Sequence, residues 1–192
     1  RTIEIRAGSI VGQPGGAILG GGDLAEITVS AVAGGLELQR NGTVAARIEA
    51  NGNQAGSVVL SASGSMLLAG NVEARGSGRD AQGGSIDLDA DGDLIATASL
   101  LASAVGSGSA GGTISVHAGS AITIDGALGV SGADFGGGEI ALAADAGSIN
   151  LSGGSPDGSA GSLDLSAEAG DVSLTADLTG IGGTGAQGAC GD

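Results

Sequence analysis

The chain has 192 residues, of which 42 are glycine and only one, Phe135, is aromatic. Glycine at this level without a Gly-X-Y period excludes collagen, and a core of small aliphatic side chains predicts a thin molecule. The 21 acidic residues outnumber the six basic ones and give a net charge of −15. This charge argues against nucleic-acid binding, which needs clustered Lys and Arg, and equally against docking on anionic lipid.

A six-residue phrase of alternating apolar and variable residues, ending in Ala, recurs seven times. Strict alternation predicts a strand with one buried face, and return at a roughly fixed period predicts a repeat architecture. The first apolar residues stand at positions 3, 27, 58, 86, 114, 140 and 163, so the gaps are 24, 31, 28, 28, 26 and 23 residues. The phrases are Thr2–Ala7, Glu26–Ala31, Ser57–Ala62, Ser85–Ala90, Thr113–Ala118, Glu139–Ala144 and Ser162–Ala167.

Two further apolar pairs follow most of these lead phrases, separated by turns too short for a helix. The second pairs are Ile10-Val11, Leu36/Leu38, Met66/Leu68, Leu94/Ala96, Ile122/Ile124, Ile149/Leu151 and Val172/Leu174. The third pairs are Ile18-Leu19, Ile48/Ala50, Val72/Ala74, Leu100/Ala102, Leu128/Val130 and Leu178/Ile181. We therefore predict an all-β fold, a right-handed parallel β-helix in which about seven coils of roughly 27 residues each contribute three short strands. We expect residues 1–192 to form one solenoid, with adjacent coils about 4.8 Å apart.

Unequal coil lengths make two local predictions. The longest gap, from 27 to 58, predicts a looped-out corner at 39–46, and the coil that starts at 140 is expected to lose its third strand at 153–158. Two rival folds fit less well. A left-handed β-helix needs 18-residue coils, and a calcium-binding RTX roll needs nine-residue Gly-Gly-x-Gly-x-Asp repeats, of which only fragments such as 182–185 are present.

Strand edges at the two ends of such a stack are templates for further pairing. The last phrase begins at 162, so another is due near 190, where the sequence stops. We expect either a longer coil stack that continues beyond both termini or stacking of identical copies into a filament.

The phrases Gly83–Ala90 and Gly111–Ala118 resemble the repeats of filamentous haemagglutinin-like adhesins, large secreted bacterial β-helical proteins exported by two-partner secretion. The third-strand phrases 48–52 and 72–76 are similar to them as well. The resemblance spans essentially the whole chain. It implies a structural, non-catalytic shaft, stalk or matrix fibre, located outside the bacterial cell or on its surface. From the strand edges we expect neighbouring coils of the same or an identical chain as partners, and host or matrix glycans are the alternative.

The densest chemistry is the acidic run of residues 87–93. Its alternate aspartates, Asp87, Asp89, Asp91 and Asp93, match the opening of an EF-hand loop that wraps Ca²⁺. The twelfth position of that loop requires a bidentate Glu but holds Ala98. We interpret the run as a solvated strand face, with Ca²⁺ binding as the alternative.

No catalytic, cofactor or metal site is predicted, and we expect that the chain is not an enzyme. His117 is the only histidine; it occupies an outward strand position and has no Cys or second His to complete a metal site. Carbohydrate-active β-helices need clustered carboxylates or basic residues, with aromatic side chains to hold sugar rings. The mid-chain basic residues Arg40, Arg47, Arg75 and Arg79 have no aromatic neighbour in sequence. If the chain binds a glycan or host protein, the 39–46 bulge is the candidate.

Cys190 is the only cysteine, so no intrachain disulfide is possible. A bystander thiol is the simpler interpretation, and a cross-link between chains is the alternative. The sequence contains no run of 18 apolar residues, so no transmembrane helix or membrane insertion is predicted.

Overall fold

The computed structural model describes residues 1–133, 135–152, 156–157 and 161–175. Within them the chain is all-β and forms a parallel β-helix with three sheet faces. The predicted fold class is therefore confirmed. The predicted strand at Leu178/Ile181, the fragment 182–185 and Cys190 lie outside the described residues.

The lead phrases form the first face, a parallel sheet of six-residue strands paired in register. Ile86, for example, aligns with Val58 on one side and with Ile114 on the other. In sheet order the strands are β1 (Thr2–Ala7), β4 (Glu26–Ala31), β9 (Ser57–Ala62), β13 (Ser85–Ala90), β17 (Thr113–Ala118), β20 (Glu139–Ala144) and β23 (Ser162–Ala167). A one-residue slip would turn each apolar column outward, so burial fixes this register.

The second apolar pairs form the second face, again a parallel seven-stranded sheet. Its strands are β2 (Ile10–Gly12), β5 (Leu36–Leu38), β10 (Met66–Leu68), β14 (Leu94–Ala96), β18 (Ile122–Ile124), β21 (Ile149–Leu151) and β24 (Val172–Leu174). Every second-strand prediction is confirmed.

The third face is a six-stranded parallel sheet of very short strands. These are β3 (Ala17–Leu19), β8 (Arg47–Glu49), β11 (Asn71–Glu73), β15 (Leu100–Leu101), β19 (Leu128–Gly129) and β22 (Pro156–Asp157). The expected loss of a third strand after 140 is wrong, because β22 pairs in parallel with β19. The segment lacks apolar alternation, so its pairing follows from its position in the stack.

Two smaller sheets lie at the corners. The predicted looped-out corner is confirmed as an antiparallel hairpin of β6 (Arg40–Asn41) and β7 (Val44–Ala45). A parallel pair of β12 (Gly76–Ser77) and β16 (Ala104–Val105) was not predicted, because it falls in Gly/Ser-rich segments that resemble plain turns.

The core is a column of stacked aliphatic side chains. Inward residues of β4, β9, β13, β17 and β20 are buried, whereas those of β1 and β23 are partly exposed. About five coils are thus completely closed, slightly fewer than the seven predicted. The six residues expected to carry the fold are each at most 2% exposed: Ile86, Leu88, Ile114, Val116, Ile140 and Leu142.

A glycine closes each central coil just before the next lead strand. The N–H of Gly84 donates to the carbonyl of Ala74 at 2.9 Å, and the N–H of Gly112 donates to that of Ala102 at the same distance. A Cβ on Gly112 would lie 2.0 Å from the carbonyl oxygen of Gly84 in the preceding coil. Only glycine permits this close approach of successive corners.

Candidate functional site

The most organised polar cluster on the first face is centred on His117. The register of β13 and β17 places His117 directly beside Asp89, and Asp145 lies one residue past β20 in the following coil. The His117 Nδ1 is 2.8 Å from the Asp89 Oδ1, and its Nε2 is 3.0 Å from the Asp145 Oδ1. One imidazole ring thus bridges three consecutive coils.

Both carboxylates favour the protonated ring. The pKa of His117 is raised above its ordinary value of 6.5, mainly by the hydrogen bond to Asp89 and then by that to Asp145, while burial opposes the shift. The His117, Asp89 and Asp145 side chains are 45%, 65% and 52% exposed, so solvent screens their attraction. In its protonated form the ring has no free lone pair with which to bind a metal or abstract a proton. Its two contacts join each of the neighbouring coils to the coil of β17.

Sequence reasoning placed His117 outward and gave it no special role. The structure confirms the outward position and adds two carboxylate partners. A signal for one of them was present, since Asp89 and His117 each stand three residues after their lead aliphatics and so share a column. Asp145 stands five residues after Ile140, in a different column, and only the side-chain geometry reveals its contact.

The acidic run does not assemble into a single site. Asp87 and Asp89 face outward on β13, as the strand-face interpretation predicted. Asp93 accepts a hydrogen bond from the Ala121 N–H at 3.1 Å, while its own N–H donates to the Ser65 Oγ at 3.3 Å. Among the described residues, no group of three or more His, Cys, Asp or Glu side chains is placed to hold a metal ion.

Other polar side chains also connect one coil to the next. The Ser85 Oγ donates to the Ser57 Oγ, and the Ser61 Oγ donates to the Ser30 Oγ, each at 2.9 Å. Side-chain acceptors in neighbouring coils bind backbone N–H groups at the corners: Asp23 (Asn53 and Gln54), Asn51 (Arg75), Ser103 (Ser131) and Ser148 (Asp171). Outward polar residues thus reinforce the backbone ladders.

An open groove of about 570 Å³ crosses four coils at the corner that precedes the first face. Sequence reasoning did not find it, because it follows from the stacking of small corner residues. Glu26 is the only charged residue among those that line it. The lining residues are Leu24, Ala25, Glu26, Ala55, Gly56, Ser57, Gln82, Gly83, Gly84, Ser85, Gly111, Gly112 and Thr113.

The hairpin at the predicted recognition corner carries little recognition chemistry. Arg40 folds back, its Nε donating to the Ala69 carbonyl at 3.0 Å. The Ala46 N–H donates to the Gln39 carbonyl at 2.8 Å and closes the neck of the hairpin. Val44, which is 52% exposed, is its one large apolar side chain.

The described residues include no helix long and apolar enough to cross a membrane. Comparison of the chain with known proteins finds no family model, no curated protein and no solved structure that matches it.

Proposed function

We propose that the chain is a structural, non-catalytic segment of a secreted or cell-surface bacterial protein, such as an adhesin shaft, a stalk or a matrix fibre. The supporting observation is the unbroken register of the first face, where all seven six-residue strands pair without a bulge or insertion. The resemblance of the Gly83–Ala90 and Gly111–Ala118 phrases to filamentous haemagglutinin-like adhesins supports the extracellular location.

The mechanism is mechanical. Backbone hydrogen bonds between coils run along the solenoid axis on three faces at once, so bending the rod must stretch many of them together. The core of Ile, Leu, Val and Ala between the faces is closely packed and resists compression. A net charge of −15 keeps neighbouring rods apart and soluble.

End-to-end self-assembly is the second candidate, and the exposed ends favour it. Inward Ile3 and Ile5 on β1, and inward Leu163 and Leu165 on β23, are only partly buried. If β1 of one copy paired with β23 of another in the same register, Ile3 would cover Leu163 and Ile5 would cover Leu165. Recognition of glycans finds less support, since neither the groove nor the hairpin presents an aromatic side chain.

Sedimentation velocity and negative-stain electron microscopy, with and without millimolar Ca²⁺, separate these candidates. A shaft segment should stay a monomer at every concentration and ignore Ca²⁺, whereas an assembling subunit should form filaments one solenoid wide. I5D should abolish such filaments, and L19D, at an outward position that is 51% exposed, should preserve them. Hydrolysis of a polysaccharide by the wild-type chain that H117Q abolishes would contradict both candidates.

A further inference from the structure

The brace at His117 depends on how many protons the ring carries. A protonated imidazole has two N–H donors, one for each of its carboxylate partners. A neutral imidazole has one N–H donor and one lone pair, and that lone pair would face the oxygen lone pairs of a carboxylate. The two contacts, 2.8 Å to Asp89 and 3.0 Å to Asp145, therefore cannot both remain hydrogen bonds once the proton is lost.

We propose that His117 is a proton-operated clamp, which ties three consecutive coils together when protonated and releases one of the outer two when neutral. Asp145 is the partner expected to leave. Asp89 sits beside His117 in the sheet register at the shorter distance, whereas Asp145 reaches the ring from the turn that follows β20.

Among the described residues, the strands around His117 carry no competing cation. Strands β9, β13, β17, β20 and β23 carry no Lys or Arg, and the only basic residue in the His117 column is Arg6, on β1 four strands away. The other titratable groups on or beside the neighbouring strands are all acidic: Asp87 and Asp91 on the β13 side, Glu139 at the start of β20, and Asp164 and Glu168 on the β23 side. His117 is therefore the sole titratable cation within an acidic surface.

The direction of the pH effect follows from the raised pKa of His117. Because the folded value lies above the unfolded value of about 6.5, protonation stabilises the folded chain. This contribution is complete below about pH 6.5 and is lost as the pH rises through the higher folded value. The junction between β17 and β20 should therefore loosen as the pH rises through the folded pKa of His117, which lies above 6.5.

Proton NMR of the ring tests the clamp directly, since the chain has a single histidine and its Cε1–H signal needs no assignment by mutation. We expect a titration midpoint above 6.5 in the folded protein, and a return to the ordinary value in urea. D89N and D145N should each lower the midpoint. D87N is the matched control, because it removes the same charge from the same strand without a contact to the ring, and it should lower the midpoint less.

Hydrogen exchange measures the loosening that should follow when the Asp145 carboxylate leaves the His117 ring. The Gly119 and Asp145 amides donate across the two coil junctions, to Ala90 at 2.8 Å and to Ala118 at 3.0 Å. As pH rises through the His117 titration, the wild-type protection factor at Asp145 should fall by a factor of about 1.5 to 5, the range expected of an exposed ion pair. H117Q should show no such step.

Two results would overturn the proposal. One is a folded-state midpoint at or below 6.5. The other is a midpoint that D87N lowers as much as D89N does, because the general acidic field rather than the two bonds would then hold the proton.

Discussion

The first face and the third face differ in how they accommodate variation in coil length. Successive first-face strands are all six residues long and pair residue for residue. The first face therefore contributes the same number of residues to every coil. The third face has strands of two or three residues, and the segment from it to the next lead aliphatic varies widely. That segment is 14 residues long from Val72 to Ile86 but only 7 from Pro156 to Leu163.

The difference shows what defines a coil in this solenoid. A buried alternating strand fixes its own register, because a slip would bury polar residues. A change in the length of an exposed corner costs the fold little stability, because the entropic cost of loop closure grows only slowly with length. The period of 23 to 31 residues therefore combines a first-face strand of constant length with corners of variable length. Three experiments separate the contributions of the strand and the corners to stability.

The corner glycines should be the least tolerant positions. In G112A the new Cβ would lie 2.0 Å from the Gly84 carbonyl oxygen and 2.7 Å from that of Ala102. The backbone must shift and weaken the closing hydrogen bond, so we expect a loss of about 3 kcal/mol, measured by urea unfolding. G21A is the matched control, because no atom lies within 4 Å of its Cβ, and it should change stability by less than about 0.5 kcal/mol. Equal effects of the two would mean that the corners can relax.

Truncation of a core leucine should cost less stability in the last first-face strand than in a central one. Leu88 on β13 is 2% exposed, whereas Leu165, three strands away on β23, is partly buried. We expect L88A to cost about 3 kcal/mol and L165A about 1 kcal/mol, because a cavity forms only where neighbours enclose the site. Thermal unfolding followed by circular dichroism compares them. Similar losses would show that the last coil is packed as completely as the central ones.

Shortening the hairpin should have the smallest effect. Replacing residues 40–45 with Asn-Gly, a favoured two-residue hairpin turn, keeps the neck bond between Gln39 and Ala46. We expect the free energy of unfolding, obtained from the unfolding midpoint, to change by less than about 1 kcal/mol. R40A, which removes only the hydrogen bond to the Ala69 carbonyl, serves as the control and should account for most of any loss. A large loss in the shortened chain alone would show that the hairpin holds the second coil in place.

Sequence reasoning predicted most of the fold because alternation and burial are local signals. The inward positions of Ile86, Leu88 and Ala90 follow from the period of two, and the stacking of the coils follows from the repeat. The strand at Pro156–Asp157 could not be found this way, because its pairing with β19 is imposed by neighbours rather than by its own residues.

The site was less predictable than the fold. Aligning the lead aliphatics places Asp89 beside His117, but Asp145 lies off that column and reaches the ring through side-chain direction. The groove over the corner glycines likewise depends on the alignment of corners from four successive coils. Both features belong to the stack rather than to any single repeat.

Because successive coils close on equivalent corner glycines, the coding sequence can gain or lose whole coils. Gly84 and Gly112 make equivalent closing bonds 28 residues apart. If codons 85–112 were deleted in frame, Gly84 would directly precede Thr113, as Gly112 does in the present chain. Duplication of the same stretch would insert one complete coil. Recombination between repeats can thus adjust the length of the molecule in steps of about 4.8 Å without creating a new joint.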